Sequence, residues 1–212
     1  MDLQPLYTAV LEGDLNTAKT ITSQALAEGT DPQVLLSQYM IPAMDEVGRR
    51  FEANEYFVPE LLIAARAMKG ALEILRPKLV ESGAKPVGKV VIGTVRGDLH
   101  DIGKNLVAAM LEGGGFEVID LGVDVSPEKL VEAVKDKGAQ IIAMSALLTT
   151  TMPGMRATVE AVEQAGLKGA VKVMVGGAPV TQRYADEIGA DGFSDNASGA
   201  VRVARELVGT GK

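Results

Sequence analysis

Val90-Val91-Ile92-Gly93-Thr94-Val95 followed by Arg96-Gly97-Asp98-Leu99-His100-Asp101-Ile102-Gly103-Lys104-Asn105 decides how this chain is read. The first part is rich in β-branched residues, which predicts a strand. The residues after Ile102 repeat apolar positions at helical spacing through Leu111, which predicts a helix. Between them lies the sole histidine of all 212 residues. An Asp stands two residues before it and a Gly three residues after it. In open parallel sheets, ligands sit where strands end and helices begin.

The pattern repeats outward from that stretch. Strands are expected at 89–95, 117–121, 140–145, 172–175 and 192–194, and helices at 102–112, 127–136, 153–165, 181–188 and 197–208. Ser126-Pro127-Glu128 is a cap, a proline at the first helical position and an acid in the first turn. Five strand–helix units with right-handed crossovers make an α/β, flavodoxin-like, doubly wound five-stranded parallel sheet of order 2-1-3-4-5, with its switch point between strands one and three.

Residues 1–83 read differently. Helices are expected at 3–11, at 15–27 behind Asp14, from Asp31-Pro32 to about Asn54 with a bend at Pro42, and from Val58-Pro59-Glu60 past Leu75 to Gly83. Short connections make these an N-terminal four-helix bundle. Gly83-Ala84-Lys85-Pro86-Val87-Gly88 combines Gly and Pro with a change from helix formers to β-branched residues. The expected division is a helical cap at 1–83, a linker at 84–88 and a Rossmann-like domain at 89–212.

Composition narrows the chemistry. Apolar residues make up 47% and charged residues 23%, as in a soluble globular protein. A net charge of −7 argues against a nucleic-acid partner, which needs clustered Lys and Arg. The chain has no cysteine, which excludes disulfides and thiolate metal sites. Neither a signal peptide nor an apolar run of membrane-spanning length is visible, so a cytoplasmic protein with no membrane partner is expected.

Three loops share the C-terminal edge of the expected sheet: Asp98 to Gly103, then Ser145-Ala146-Leu147-Leu148-Thr149-Thr150-Thr151, then Gly176-Gly177-Ala178-Pro179. The first offers an imidazole beside a carboxylate, the second hydroxyls, and the third backbone without side chains. Gly97 and Gly103-Lys104 miss the phosphate-loop spacing, and Asn105 stands where that motif needs a hydroxyl. A receiver domain needs a phosphoacceptor Asp where Ser145 stands. One His and no Cys cannot build a zinc hydrolase site, and there is no Gly-x-Ser-x-Gly elbow. What remains is a single imidazole on a cofactor that brings its own equatorial ligands, a tetrapyrrole-type ring.

Asp98-x-His100-x-x-Gly103, Ser145-x-Leu147 and Gly176-Gly177 together resemble the cobalamin-binding signature. Asp45-Glu46-Val47-Gly48-Arg49-Arg50-Phe51-Glu52, Tyr56 to Leu61 and Ala64 to Lys69 resemble the helical cap of the cobalamin module of methionine synthase, and still more the free-standing corrinoid proteins of methyltransferase systems. The resemblance spans nearly the whole chain. It implies cobalamin or a related corrinoid, carried as methylcobalamin, with His100 as the lower axial ligand to cobalt. Asp98 would accept the other imidazole N–H, and Thr151, where methionine synthase has Ser, would bond Asp98. The nucleotide tail would enter a channel lined by Gly103, Ser145, Leu147, Gly176 and Gly177, with Leu99, Asp101, Ile102, Thr149 and Ala178 also touching the cofactor. Phe51 and Val58 would shield the upper face of cobalt, Val58 standing where methionine synthase has Leu.

The activity implied is a corrinoid methyl carrier, a shuttle subunit of anaerobic one-carbon metabolism rather than a complete enzyme. Its partners would be a substrate-specific methyltransferase, an acceptor methyltransferase and a corrinoid reductive activation protein. Donors in such systems are methanol, methylamines, betaines or methoxyaromatics, and acceptors are tetrahydrofolate or a thiol. The alternatives are an adenosylcobalamin-binding sensor, which normally carries a DNA-reading module, and the small subunit of a radical mutase, which usually lacks residues such as 1–83.

Overall fold

The computed structural model describes residues 2–210, which divide into two compact units: 2–86 with 112–115, and 87–111 with 116–210. Among the described residues no helix is long and apolar enough to cross a membrane.

The helical unit contains α1 (Gln4–Glu12), α2 (Leu15–Ala27), α3 (Pro32–Val34), a π-helical segment (Leu35–Met40), α4 (Ile41–Glu52) and α5 (Val58–Glu81). Asp14 and Asp31 start their helices by accepting the backbone N–H groups of Thr17 and Gln33. Backbone torsions stay helical from Val34 to Ile41, so α3, the π segment and α4 form one rod. The bend expected at Pro42 is absorbed as this π segment. Proline has no N–H for the preceding turn, and widening that turn removes the clash of its ring. Leu6, Leu35, Met40, Met44, Leu61, Met68 and Leu75 are fully buried in this unit's core.

The last turn of α4 carries an ion network. The Glu46 carboxylate accepts from Arg49 at 2.7 and 2.8 Å and from Arg50 at 2.8 Å. Arg50 also stands 5.1 Å over the Tyr56 ring. The bonds from Arg49 and then Arg50 hold the Glu46 carboxyl down to about 2. A depressed carboxyl stabilises the fold above its unfolded value near 4.5, and that contribution vanishes as pH falls through about 2. Glu46→Gln should therefore lower stability by less than ~1 kcal/mol at neutral pH. Its urea midpoint should converge on that of the parent as pH drops from about 4.5 to about 2, the two carboxyl values.

The second unit is a five-stranded, all-parallel sheet of order β2-β1-β3-β4-β5. Its strands are β1 (Lys89–Thr94), β2 (Glu117–Asp120), β3 (Ile141–Ser145), β4 (Lys172–Gly176) and β5 (Gly192–Phe193). Its helices are α6 (Ile102–Gly113), α7 (Pro127–Lys137), α8 (Pro153–Gln164), α9 (Gln182–Ile188) and α10 (Ala197–Leu207). Element ends differ from expectation by a residue or so. Val95, Leu121, Gln140 and Ser194 fall outside their strands, and Gly176 falls inside β4. Val95 instead makes a lone bridge to Val125. Val91, Ile142, Val173, Val175, Leu130, Met155 and Ile188 pack the core between sheet and helices. Register pairs Thr94 with Ser145 and Ser145 with Gly176, so three strand ends align at the C-terminal edge.

Candidate functional site

The loop from Val95 to Asp101 leaves β1 through a turn that glycine makes easy. Gly97 has φ 81, a left-handed conformation that costs glycine little. The turn drives Asp98 inward until it is fully buried. Four donors meet its carboxylate there. Oδ1 accepts the His100 backbone N–H at 3.1 Å and lies 2.8 Å from the imidazole Nδ1. Oδ2 accepts the Leu147 backbone N–H and the Thr151 hydroxyl, both at 2.8 Å. Burial pushes the carboxyl up. The bonds from the Leu147 and His100 amides, the imidazole and Thr151 outweigh it, holding Asp98 well below the usual carboxylate range.

An ionised partner on Nδ1 fixes the imidazole tautomer. Nδ1 carries the proton and Nε2 keeps its lone pair. The His100 side chain remains 53% exposed. Thr94, itself buried, donates its hydroxyl to the His100 carbonyl at 2.8 Å and holds the loop from beneath. Thr94 was not singled out from sequence, because a Thr in a strand reads as ordinary β propensity.

Around this ring the two loops expose large apolar side chains. Leu99 is 72% and Ile102 82% exposed, and Leu147 and Leu148 are also open. Such side chains gathered near one available nitrogen mark a binding surface. Leu147 contributes its amide to Asp98, while its side chain stays on the rim. Ser145 is half-buried at the end of β3, Thr149 and Ala178 are exposed, and Asp101 is exposed with its carboxylate accepting from Asn105. Phe51 and Val58 belong to the helical unit. Phe51 is half-buried in the last turn of α4, and Val58 opens α5, exposed with Phe57, Leu62 and Ile63.

The glycines sort into two kinds by what an added side chain would meet. A Cβ at Gly177 would stand 2.0 Å from the Ala146 carbonyl oxygen, and one at Gly176 would stand 2.9 Å from that of Ser194. The chain itself uses that space. A Cβ on Gly103 would meet nothing within 4 Å, so open space lies at the start of α6. Lys104, next to it, is buried, and its ammonium donates to Asp120 and Asn105, which leaves it engaged away from any phosphate.

Among the described residues no group of three or more His, Cys, Asp or Glu side chains could hold a metal ion. The protein offers one oriented imidazole, an apolar rim and a side-chain-free cradle at Gly103. That donor set fits a large flat macrocycle carrying its own equatorial ligands and lacking one axial nitrogen.

Residues 88–202 match the family model described as a B12 binding domain, and residues 3–76 match a second B12 binding domain model. The chain belongs to the B12-binding proteins. It is 45% identical to trimethylamine corrinoid protein 1 of Methanosarcina mazei, over 91% of this chain and 90% of that one. A cobalamin-binding protein from Desulfitobacterium hafniense is similar in structure, with a TM-score of 0.81 and 35% identity over 98% of both chains. The methanol:cobalamin methyltransferase complex of Methanosarcina barkeri matches with a TM-score of 0.86 and 29% identity, over 98% of this chain and 79% of that one. This B12-binding chain is thus a corrinoid protein of the methyltransferase-system type, and its cofactor is a corrinoid.

Proposed function

We propose that the chain carries a methyl group on its corrinoid from a substrate-specific methyltransferase to a second methyltransferase, which passes it to tetrahydrofolate or a thiol. The observation that carries this reading is the buried Asp98 carboxylate bonded to Nδ1 of the half-exposed His100. When bound, the corrinoid supplies a cobalt centre that accepts and yields a methyl group. His100 Nε2 would be the nitrogen that holds the cobalt of the corrinoid. Asp98 would hold the ring's proton at Nδ1 and so leave Nε2 to the cofactor, and Thr151 would steady the carboxylate. Leu99, Asp101, Ile102, Thr149 and Ala178 would contact the cofactor, Ser145 would bond the tail base, and Gly103, Leu147 and the backbone of Gly176 and Gly177 would line the tail's path. A corrinoid reductive activation protein would be a further partner.

Support for methylated amines as donors is the 45% identity to a trimethylamine corrinoid protein. Two experiments test the reading. Corrinoid-loaded protein, mixed with a trimethylamine-specific methyltransferase, should become methylated with trimethylamine and not with methanol. Failure with every methylated amine, methanol, betaine and methoxyaromatic tried, each with its methyltransferase, would refute methyl carriage. His100→Ala should still bind the corrinoid while its cobalt(II) electron paramagnetic resonance loses the axial nitrogen splitting. Retention of that splitting would refute the ligand assignment.

A further inference from the structure

The loop that presents His100 is gripped on two sides, and only one belongs to the signature already described. On the β3 side, Leu147 and Thr151 bond the Asp98 carboxylate. On the β2 side stands Asp124, in the loop between β2 and α7. Its Oδ1 accepts the Gly97 N–H at 2.7 Å, and its own N–H donates to the Asp98 carbonyl at 3.0 Å. Neighbouring bonds join the same two loops. Thr94 donates its N–H to the Gly122 carbonyl, and Val125 donates to the Thr94 carbonyl, each at 3.0 Å.

The backbone of Asp124 marks it further. Its φ is 53, and among the described residues only Asn54 is another non-glycine with positive φ. Asn54 follows the end of α4, where a left-handed residue commonly finishes a helix. Asp124 has no such role. A non-glycine residue held in this region costs energy, and such residues persist where the surroundings over-determine them. Glycine would suit the backbone better, but it could not supply the carboxylate that reaches Gly97.

We infer that Asp124 is a positioning residue for the Asp98–His100 pair, clamping the β1 loop from the β2 side so that the imidazole is held at one height and in one tautomer. It acts through two bonds, to the residue before Asp98 and to Asp98 itself. It does not touch the imidazole. The inference rests on His100 being the axial donor, and it deepens that reading by naming the residue that sets the donor's position.

The test uses the full chain and two variants. Asp124→Gly keeps the left-handed backbone at no steric cost and removes the carboxylate. Asp124→Asn keeps an acceptor oxygen for Gly97. Because His100 is the sole histidine, its ring nitrogens can be followed by NMR in the cofactor-free protein without assignment ambiguity. In Asp124→Gly, exchange of the Gly97 amide should accelerate about tenfold, the worth of one lost charge-assisted bond. At mildly alkaline pH the ring nitrogen shifts should move toward a tautomer mixture. With the corrinoid bound, a smaller fraction of the cobalt(II) signal should show nitrogen splitting. Asp124→Asn should restore all three. Wild-type ring shifts in a folded Asp124→Gly variant would overturn the inference, as would failure of Asp124→Asn to rescue. If the wild-type protein itself shows no axial nitrogen splitting while Asp124→Gly still disturbs the ring shifts, the ligand reading fails and the clamp stands.

Discussion

Gly177→Ala is expected to destabilise the sheet unit by about 3 kcal/mol, one of the larger effects available from adding a single methyl group. Two costs coincide at this position. Gly177 has φ 129, which side-chain-bearing residues rarely adopt. An added Cβ would also stand 2.0 Å from the Ala146 carbonyl oxygen. That atom is backbone, so no rotamer change relieves the contact, and the loop after β3 must move as a piece. The same loop carries the Leu147 N–H that bonds Asp98, so the damage reaches the histidine site as well. Gly103→Ala is the matched control. Gly103 sits in the first turn of α6, and its added Cβ would meet nothing. Alanine there should leave stability unchanged or raise it by up to ~1 kcal/mol through helix propensity. In the proposed cradle it should nonetheless weaken corrinoid binding. Urea unfolding of both variants and corrinoid titration of Gly103→Ala check the pair. Equal stability of Gly177→Ala and the parent would refute the steric argument. Undiminished corrinoid binding by Gly103→Ala would remove the cradle.

These glycines also mark how far the sequence could be read. The sheet order follows from the alternation of β-branched runs with helical periods, because parallel neighbours need crossover helices and crossovers have one hand. The Asp98–His100 loop was legible for the same reason: its residues lie together in the chain, at a strand end. The meaning of Gly176 and Gly177 was not. Whether a missing side chain makes room for a ligand or for another part of the chain depends on Ala146 and Ser194, and their distances are set by tertiary packing. Leu147 was legible as a position but not in its role, since a backbone N–H leaves no trace in residue identity. Asp124 was invisible because its partners Gly97 and Asp98 lie far away in sequence. Pro42 announced a disturbance, and the form it took, a π segment on its N-terminal side, depended on how that rod packs.

Asp98→Asn is expected to remove about 2 kcal/mol of stability and to abolish or scramble the axial nitrogen signal. The argument is a count of hydrogen-bonding roles. The buried carboxylate presents two acceptor oxygens to four donors: the His100 amide, the imidazole Nδ1, the Leu147 amide and the Thr151 hydroxyl. Asparagine keeps one acceptor oxygen and turns the other into an NH₂ group. If that NH₂ faces Leu147 and Thr151, the hydroxyl can rotate to accept. The Leu147 N–H cannot, and it is left facing a donor in a buried site. If the NH₂ faces His100, the backbone N–H loses its acceptor and Nδ1 must accept. The imidazole proton then moves to Nε2, and the nitrogen assigned to cobalt loses its lone pair. Either orientation leaves one amide unsatisfied, and the second also switches the tautomer. Thr151→Val separates the two effects. It removes one bond to Asp98 while leaving the carboxylate on Nδ1, so it should cost about 1 kcal/mol and keep the nitrogen splitting. Thermal or urea unfolding and cobalt(II) resonance of both variants check this. Parental stability together with an unaltered nitrogen splitting in Asp98→Asn would mean that the carboxylate's charge and both of its acceptor edges are dispensable, and the orientation of His100 would then have to come from the backbone alone.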